Sequence, residues 1–105
     1  VVRGADLLES TPRQIFLQRQ LGFSTPEYAH LPIVVDASGH KLSKSLAAFP
    51  LDHSDPVPAM RMIWKLLGQD MANWPVNGRP DRLLLQAITQ FDATKIPRDS
   101  QMPTA

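Results

Sequence analysis

Hydrophobic and polar positions alternate in short phrases along this chain, and each phrase predicts a short element. Val1-Val2 is a β-branched pair followed by Arg3-Gly4-Ala5-Asp6, the pattern of a buried strand's tail and its exit loop. Ser10-Thr11-Pro12 predicts a helix start, with a hydroxyl cap and a proline in the first turn. That helix is expected from about Pro12 to Leu21, with Gly22 as its stop and with Phe16, Leu17 and Leu21 on its buried side. Tyr28 to Pro32 has no clear period. Ile33-Val34-Val35 predicts a short strand, Asp36-Ala37-Ser38-Gly39 a turn, and His40-Lys41-Leu42 a second strand pairing back.

The second half changes period. Leu46 to Asp55 reads as irregular, and Asp55-Pro56-Val57-Pro58 as the cap of a helix from about Val57 to Leu67, ended by Gly68. Met60, Ile63, Trp64 and Leu67 recur on one face of that helix. A further helix from about Pro80 to Phe91 carries Leu84, Ala87, Ile88 and Phe91 as its stripe, and Trp74 is expected to close the packing between the two. From Lys95 onward the chain is polar and broken by prolines, and a frayed tail is expected. The order is strand, helix, short strands, then helices.

Composition narrows the chemistry. The 105 residues suffice for one small domain or for part of a larger one. The formal charge of +1 excludes a global pull toward nucleic acid or anionic lipid. With no cysteine there is neither a disulfide framework nor a thiolate metal site in these residues. The histidines, His30, His40 and His53, lack metal-ligand spacing, and no apolar run reaches membrane-spanning length. An opening of Val1-Val2-Arg3-Gly4 without methionine reads as the end of a strand, and an incomplete chain is expected.

The stretch with most chemical content is Lys41-Leu42-Ser43-Lys44-Ser45, directly after the expected hairpin. Lysines offer mobile point charges with several donors, suited to phosphate oxygens that move during a reaction. The pattern alone equally suits a solvated basic turn. Arg3, at a strand exit, suits a two-point grip on a carboxylate, the plainer alternative being a surface ion pair with Asp6 or Glu9. His30 reads as a packed histidine or a base, and Asp6 as a ligand contact or a turn cap. His40 and His53 read as loop surface. Arg79, Arg82 and Lys95 suit a solvated helix face or an RNA contact.

Taken in order, Val2-Arg3-Gly4-x-Asp6-Leu7-Leu8, Ser10-Thr11-Pro12-Arg13-Gln14, Leu21-Gly22, His30-Leu31-Pro32 and Lys41-Leu42-Ser43-Lys44 resemble the second half of the catalytic domain of class I glutamyl-tRNA synthetases. The likeness is greatest to the shortened glutamyl-Q tRNA(Asp) branch of that family. The lysine loop matches the class signature KMSKS, with Leu42 in place of methionine. The likeness is strong over residues 1–50 and less specific beyond. The short helical remainder after the loop suits the shortened branch, and a cut piece of the longer enzyme would look similar.

The resemblance implies an α/β fold. Residues 1–50 would close a Rossmann-type catalytic domain, and residues 51–105 would form a helical C-terminal region. It implies ATP-dependent activation of glutamate and its transfer to queuosine in the anticodon of tRNA(Asp); charging of tRNA(Glu) or a non-catalytic RNA-binding role are the alternatives. It assigns Arg3 to glutamate, Lys44 to the ATP phosphates, and Lys41 and Ser43 to shaping and assisting the loop. Mg2+ would accompany ATP. The HIGH-type motif, a tyrosine and the ligands of a Zn2+ would lie upstream, so that this chain alone should be inactive. A cytoplasmic monomer is the corresponding expectation.

Overall fold

The fold is that of a computed structural model, which describes residues 1–44, 52–72, 74 and 78–103, with the backbone alone at Lys44. Ser45 and most of the stretch expected to be irregular lie outside the described residues, as do residues 75–77, 104 and 105. The first half is a strand-helix-strand unit. β1 (Val2–Gly4) pairs in parallel with β2 (Ala29–Leu31), with Val2 opposite Ala29, Arg3 opposite His30 and Gly4 opposite Leu31. A 3₁₀ turn over Ala5–Ser10 and helix α1 (Thr11–Gln20) make the crossover that a parallel pair requires. The fold class is α/β at this level, with a two-stranded parallel sheet and three α-helices among the described residues.

Three local expectations need correction here. β1 is not buried: Val2 is 70% exposed, because the sheet has only two strands among the described residues and nothing covers that end. Ser10 does not cap α1 with its hydroxyl. Its backbone is already helical, since the 3₁₀ turn runs straight into the helix, and a hydroxyl cap needs an extended residue at that point. Phe16, Leu17 and Leu21 are exposed instead of buried. The half-buried positions of α1 are Thr11, Gln14, Ile15 and Gln18, the i, i+3, i+4, i+7 stripe of a helix, and three of the four are polar. Helix α1 thus turns hydrogen-bonding groups toward the sheet. Its end is as expected: Gly22 takes φ +79°, and the Phe23 N–H closes on Gln18 O at 2.9 Å.

After β2 the chain makes the expected turn. The Asp36 carboxylate accepts from the N–H groups of Ser38 (2.9 Å) and His40 (3.0 Å), and Gly39 sits at φ +82°. Around it, Asp36 N–H meets His40 O (2.9 Å) and Leu42 N–H meets Val34 O (2.8 Å). Ile33-Val34-Val35 forms no continuous strand: Val35 bridges Lys41 on one side and Val34 bridges Gln101 on the other. The tail is consequently not frayed through residue 103. Gln101 donates to Ile33 O and accepts from Val35 N–H, both at 2.9 Å, which satisfies backbone groups that the short hairpin leaves open.

The second half packs around α2 (Val57–Leu66) and α3 (Pro80–Gln90). Gly68 stops α2 at φ +71° and approaches Lys95 O so closely that a Cβ would collide with it. The core consists of Val57, Trp64, Trp74 and Leu83, with Met60, Met71 and Ala87 against it. Trp64 and Trp74 stack at 4.8 Å, so Trp74 does close the two helices together. Leu83, only 2% exposed, is the α3 anchor, whereas Leu84 and Ile88 of the expected stripe line an open apolar groove with Ile63 and Phe91. Asp55 contributes to the α2 start by accepting from Val57 N–H at 3.3 Å.

Candidate active site

Parallel strands place their carboxyl ends together, and the loops leaving those ends form a natural crevice. Here β1 ends at Gly4 and β2 at Leu31, and both line a cleft of about 480 Å³. The turn after β2 brings Lys41, Leu42 and Ser43 back to it, opposite Arg3, Asp6 and Leu7 from the β1 exit. Positions far apart in sequence that were singled out separately (Arg3, Asp6, Lys41 and Ser43) therefore share one cavity. Lys44 continues the same short 3₁₀ turn, Leu42–Lys44, in its backbone. Its side chain lies outside what the structure describes, as does Ser45.

Arg3 is the most constrained group at the site. Its Nε–H donates to His30 Nε2 (3.1 Å), Nη1 to Gln14 Oε1 (2.5 Å), and Nη2 to Thr11 Oγ1 (2.7 Å) and, at a long 3.4 Å, to Leu7 O. The Tyr28 ring lies 4.9 Å from the guanidinium carbon and stacks near His30. Tyr28 is itself held by Gln18 of α1, which donates to its hydroxyl at 3.0 Å. Among the described residues no carboxylate forms an ion pair with Arg3. The expected surface pair with Asp6 or Glu9 is thus not formed: Asp6 pairs with Lys41 Nζ at 2.7 Å, and the acceptors around Arg3 are neutral. Arg3 is half-buried, oriented, and keeps its charge available to an anion.

The Asp6–Lys41 pair spans the cleft's mouth and ties the lysine turn to the β1 exit, with both side chains partly solvent-exposed. Exposed pairs of this kind contribute at most about 1 kcal/mol, so this tether is one that a stronger anion can displace. His30 is the expected packed, hydrogen-bonded histidine, with Arg3 as its donor. His40, near Asp36 at 3.8 Å, and His53 are surface groups, as expected. Arg79, Arg82 and Lys95 are exposed, and Arg79 pairs with Asp81 at 2.9 Å. Two carboxylates away from the cleft, Asp52 and Asp92, are held below the usual range, each chiefly by the hydroxyl of the residue two positions on, Ser54 and Thr94. The described residues contain no cluster of three metal-ligating side chains, and no described helix is long and apolar enough to cross a membrane.

Sequence reasoning missed Thr11, Gln14 and Tyr28 as parts of this site. Thr11 and Gln14 were visible only as a helix start. Tyr28 and His30, two apart on an extended segment, share a face by the period of a strand, and that spacing was the available signal.

No family model matches the chain. Curated relatives do. A glutamyl-Q tRNA(Asp) synthetase of Xanthomonas campestris pv. campestris is 49% identical over 105 residues, which is all of this chain and 35% of the relative. The protein of the same name from Pseudomonas paraeruginosa is 41% identical over 103 residues, 98% of this chain and 35% of the relative. That from Burkholderia cenocepacia is 60% identical over 68 residues, 65% of this chain and 23% of the relative. The chain spans about a third of the length of these relatives.

Proposed function

Because the chain is homologous from end to end to a segment of glutamyl-Q tRNA(Asp) synthetases, we propose that it supplies the arginine and lysine-loop part of such an enzyme's active site. In this reading the parallel pair β1–β2 belongs to a Rossmann-type sheet. Residues 1–50 close that catalytic domain and residues 51–105 form a helical C-terminal region. The observation that carries the proposal is one cleft lined both by an oriented Arg3, which has no ion-pair partner among the described residues, and by the Lys41–Ser43 turn.

The proposed chemistry gives each residue one role. Arg3 holds the glutamate by a carboxylate. Lys44 neutralises the phosphates of ATP as a glutamate carboxylate oxygen attacks the α-phosphorus and pyrophosphate leaves. A preorganised cation there is worth most when negative charge moves toward the leaving group. Lys41 and Ser43 shape the turn, and Lys41 exchanges its Asp6 contact for phosphate as ATP arrives. Mg2+ would accompany the ATP phosphates, and any Zn2+ site would lie in the remainder of the enzyme. The activated glutamate passes to queuosine in tRNA(Asp), and the proposed enzyme acts as a cytoplasmic monomer.

The decisive experiment gives the intact enzyme that carries this segment ATP, labelled glutamate and, separately, tRNA(Asp) with queuosine, tRNA(Asp) without it, and tRNA(Glu). Label is expected on queuosine-containing tRNA(Asp) alone. Label at the acceptor end of tRNA(Glu) would replace this proposal with that of an ordinary glutamyl-tRNA synthetase. Absence of glutamate activation would remove both.

A further inference from the structure

A guanidinium presents two edges on which a carboxylate can dock with two hydrogen bonds, the Nε/Nη2 edge and the Nη1/Nη2 end. Here the first edge is already occupied. His30 Nε2 takes the Nε–H at 3.1 Å, Thr11 Oγ1 takes Nη2 at 2.7 Å, and the two acceptor atoms stand 3.4 Å apart. They take the two donors that a docked carboxylate would take, as separate acceptors spaced more widely than carboxylate oxygens, and neither carries charge. A guanidinium nitrogen only donates, so His30 Nε2 is an acceptor and the ring is neutral. Thr11 Oγ1, in turn, is oriented by donating to Leu7 O at 3.2 Å.

We infer that His30 is a positioning residue for glutamate recognition: with Thr11 it forms a neutral clamp that fixes the roll of the Arg3 guanidinium and turns its Nη1/Nη2 end toward the substrate carboxylate. At that end the protein contacts are Gln14 at Nη1 and the long 3.4 Å contact to Leu7 O at Nη2, the weakest of the set and the one a carboxylate oxygen displaces. Tyr28, 4.9 Å away, covers a face of the guanidinium. The design requirement is an acceptor without charge. A carboxylate in place of His30 would hold Arg3 as firmly but would cancel the charge that the substrate needs.

This inference rests on Arg3 holding glutamate, and its test separates the two. In the intact enzyme, glutamate-dependent ATP–pyrophosphate exchange is measured for the wild type, His30→Ala, His30→Gln and His30→Glu. His30→Ala should raise the glutamate KM on the order of tenfold or more, with the ATP KM unchanged. His30→Gln, whose amide oxygen is a neutral acceptor, should restore most of it. His30→Glu, an acceptor with charge, should not. An unchanged glutamate KM in an active His30→Ala enzyme, or equal rescue by Gln and Glu, would overturn the clamp. A second readout does not depend on the substrate: the Arg3 Nε–H resonance should be slow to exchange in the wild type and in His30→Gln, and fast in His30→Ala. Slow exchange in all three would overturn the clamp even if the enzyme activates something other than glutamate, whereas the expected pattern without glutamate activation would retire only the assignment of the substrate.

Discussion

At the scale of single residues, Arg3 would hold glutamate and Lys44 would meet the ATP phosphates in the proposed enzyme. Arg3 donates four hydrogen bonds to groups on three elements, so its position is set before any ligand arrives. Among the described residues, the Lys41 ammonium is tethered by Asp6, a half-exposed contact that gives way easily. This contrast suits a rigid substrate grip facing a movable phosphate loop. In the intact enzyme, Lys44→Ala should slow ATP–pyrophosphate exchange on the order of a hundredfold while leaving the melting temperature unchanged, because a positive charge lost beside the transferring phosphates acts on the transition state. An unaltered exchange rate would count against the phosphate role. The lysine turn was legible from residue types and their order, since charge and hydroxyl content belong to the sequence itself. The neutrality of Arg3's surroundings was not, because Gln14 and His30 lie 11 and 27 residues away from it.

Among the elements, helix ends were the most readable features and helix faces the least. The stops at Gly22 and Gly68 follow from local backbone chemistry, which a glycine settles within one turn. The faces depend on what each helix meets. Helix α1 meets Arg3 and Tyr28, so its inward stripe is polar, and Phe16 and Leu17 are left outside. Between α2 and α3 the join is made by Gln69, a buried polar residue just past the end of α2. Its amide donates to Leu67 O (2.8 Å) and Asp92 O (2.9 Å) and accepts from Asp92 N–H (2.8 Å). Replacing Gln69 by Ala would leave those backbone groups without partners, at a cost of about 1–3 kcal/mol each where water cannot reach them. A lowered denaturation midpoint is the expected result. A midpoint equal to the wild type would mean that water replaces the amide.

Across the whole molecule, the radius of gyration of 16.4 Å exceeds the roughly 13 Å of a compact chain of this length, and the extents are 49 × 34 × 25 Å. Phe16 and Leu17 of α1 and Ile63, Leu84 and Ile88 of the groove between α2 and α3 stand exposed, and the buried apolar side chains among the described residues are Val35 and the cluster of Val57, Trp64, Trp74 and Leu83. What joins the halves includes the Gln101 pairing with Ile33 and Val35, next to the turn that carries the lysines. Gln101→Pro removes the N–H that meets Ile33 O and should speed hydrogen exchange at the neighbouring Val35 and Leu42 amides severalfold. Unchanged protection there would show that the tail does not steady the lysine turn.

The sequence by itself determined the local features: where helices stop, where the Asp36–Gly39 turn falls, and the cationic character of Lys41 to Lys44. Each depends on backbone preferences or charges that act within a few residues. The tertiary structure decided which groups meet. It placed Arg3 against His30 and Thr11, opposed Lys41 to Asp6, and returned Gln101 to Val34. Such pairings are set by closing long stretches of chain over a shared surface, and no local preference encodes them.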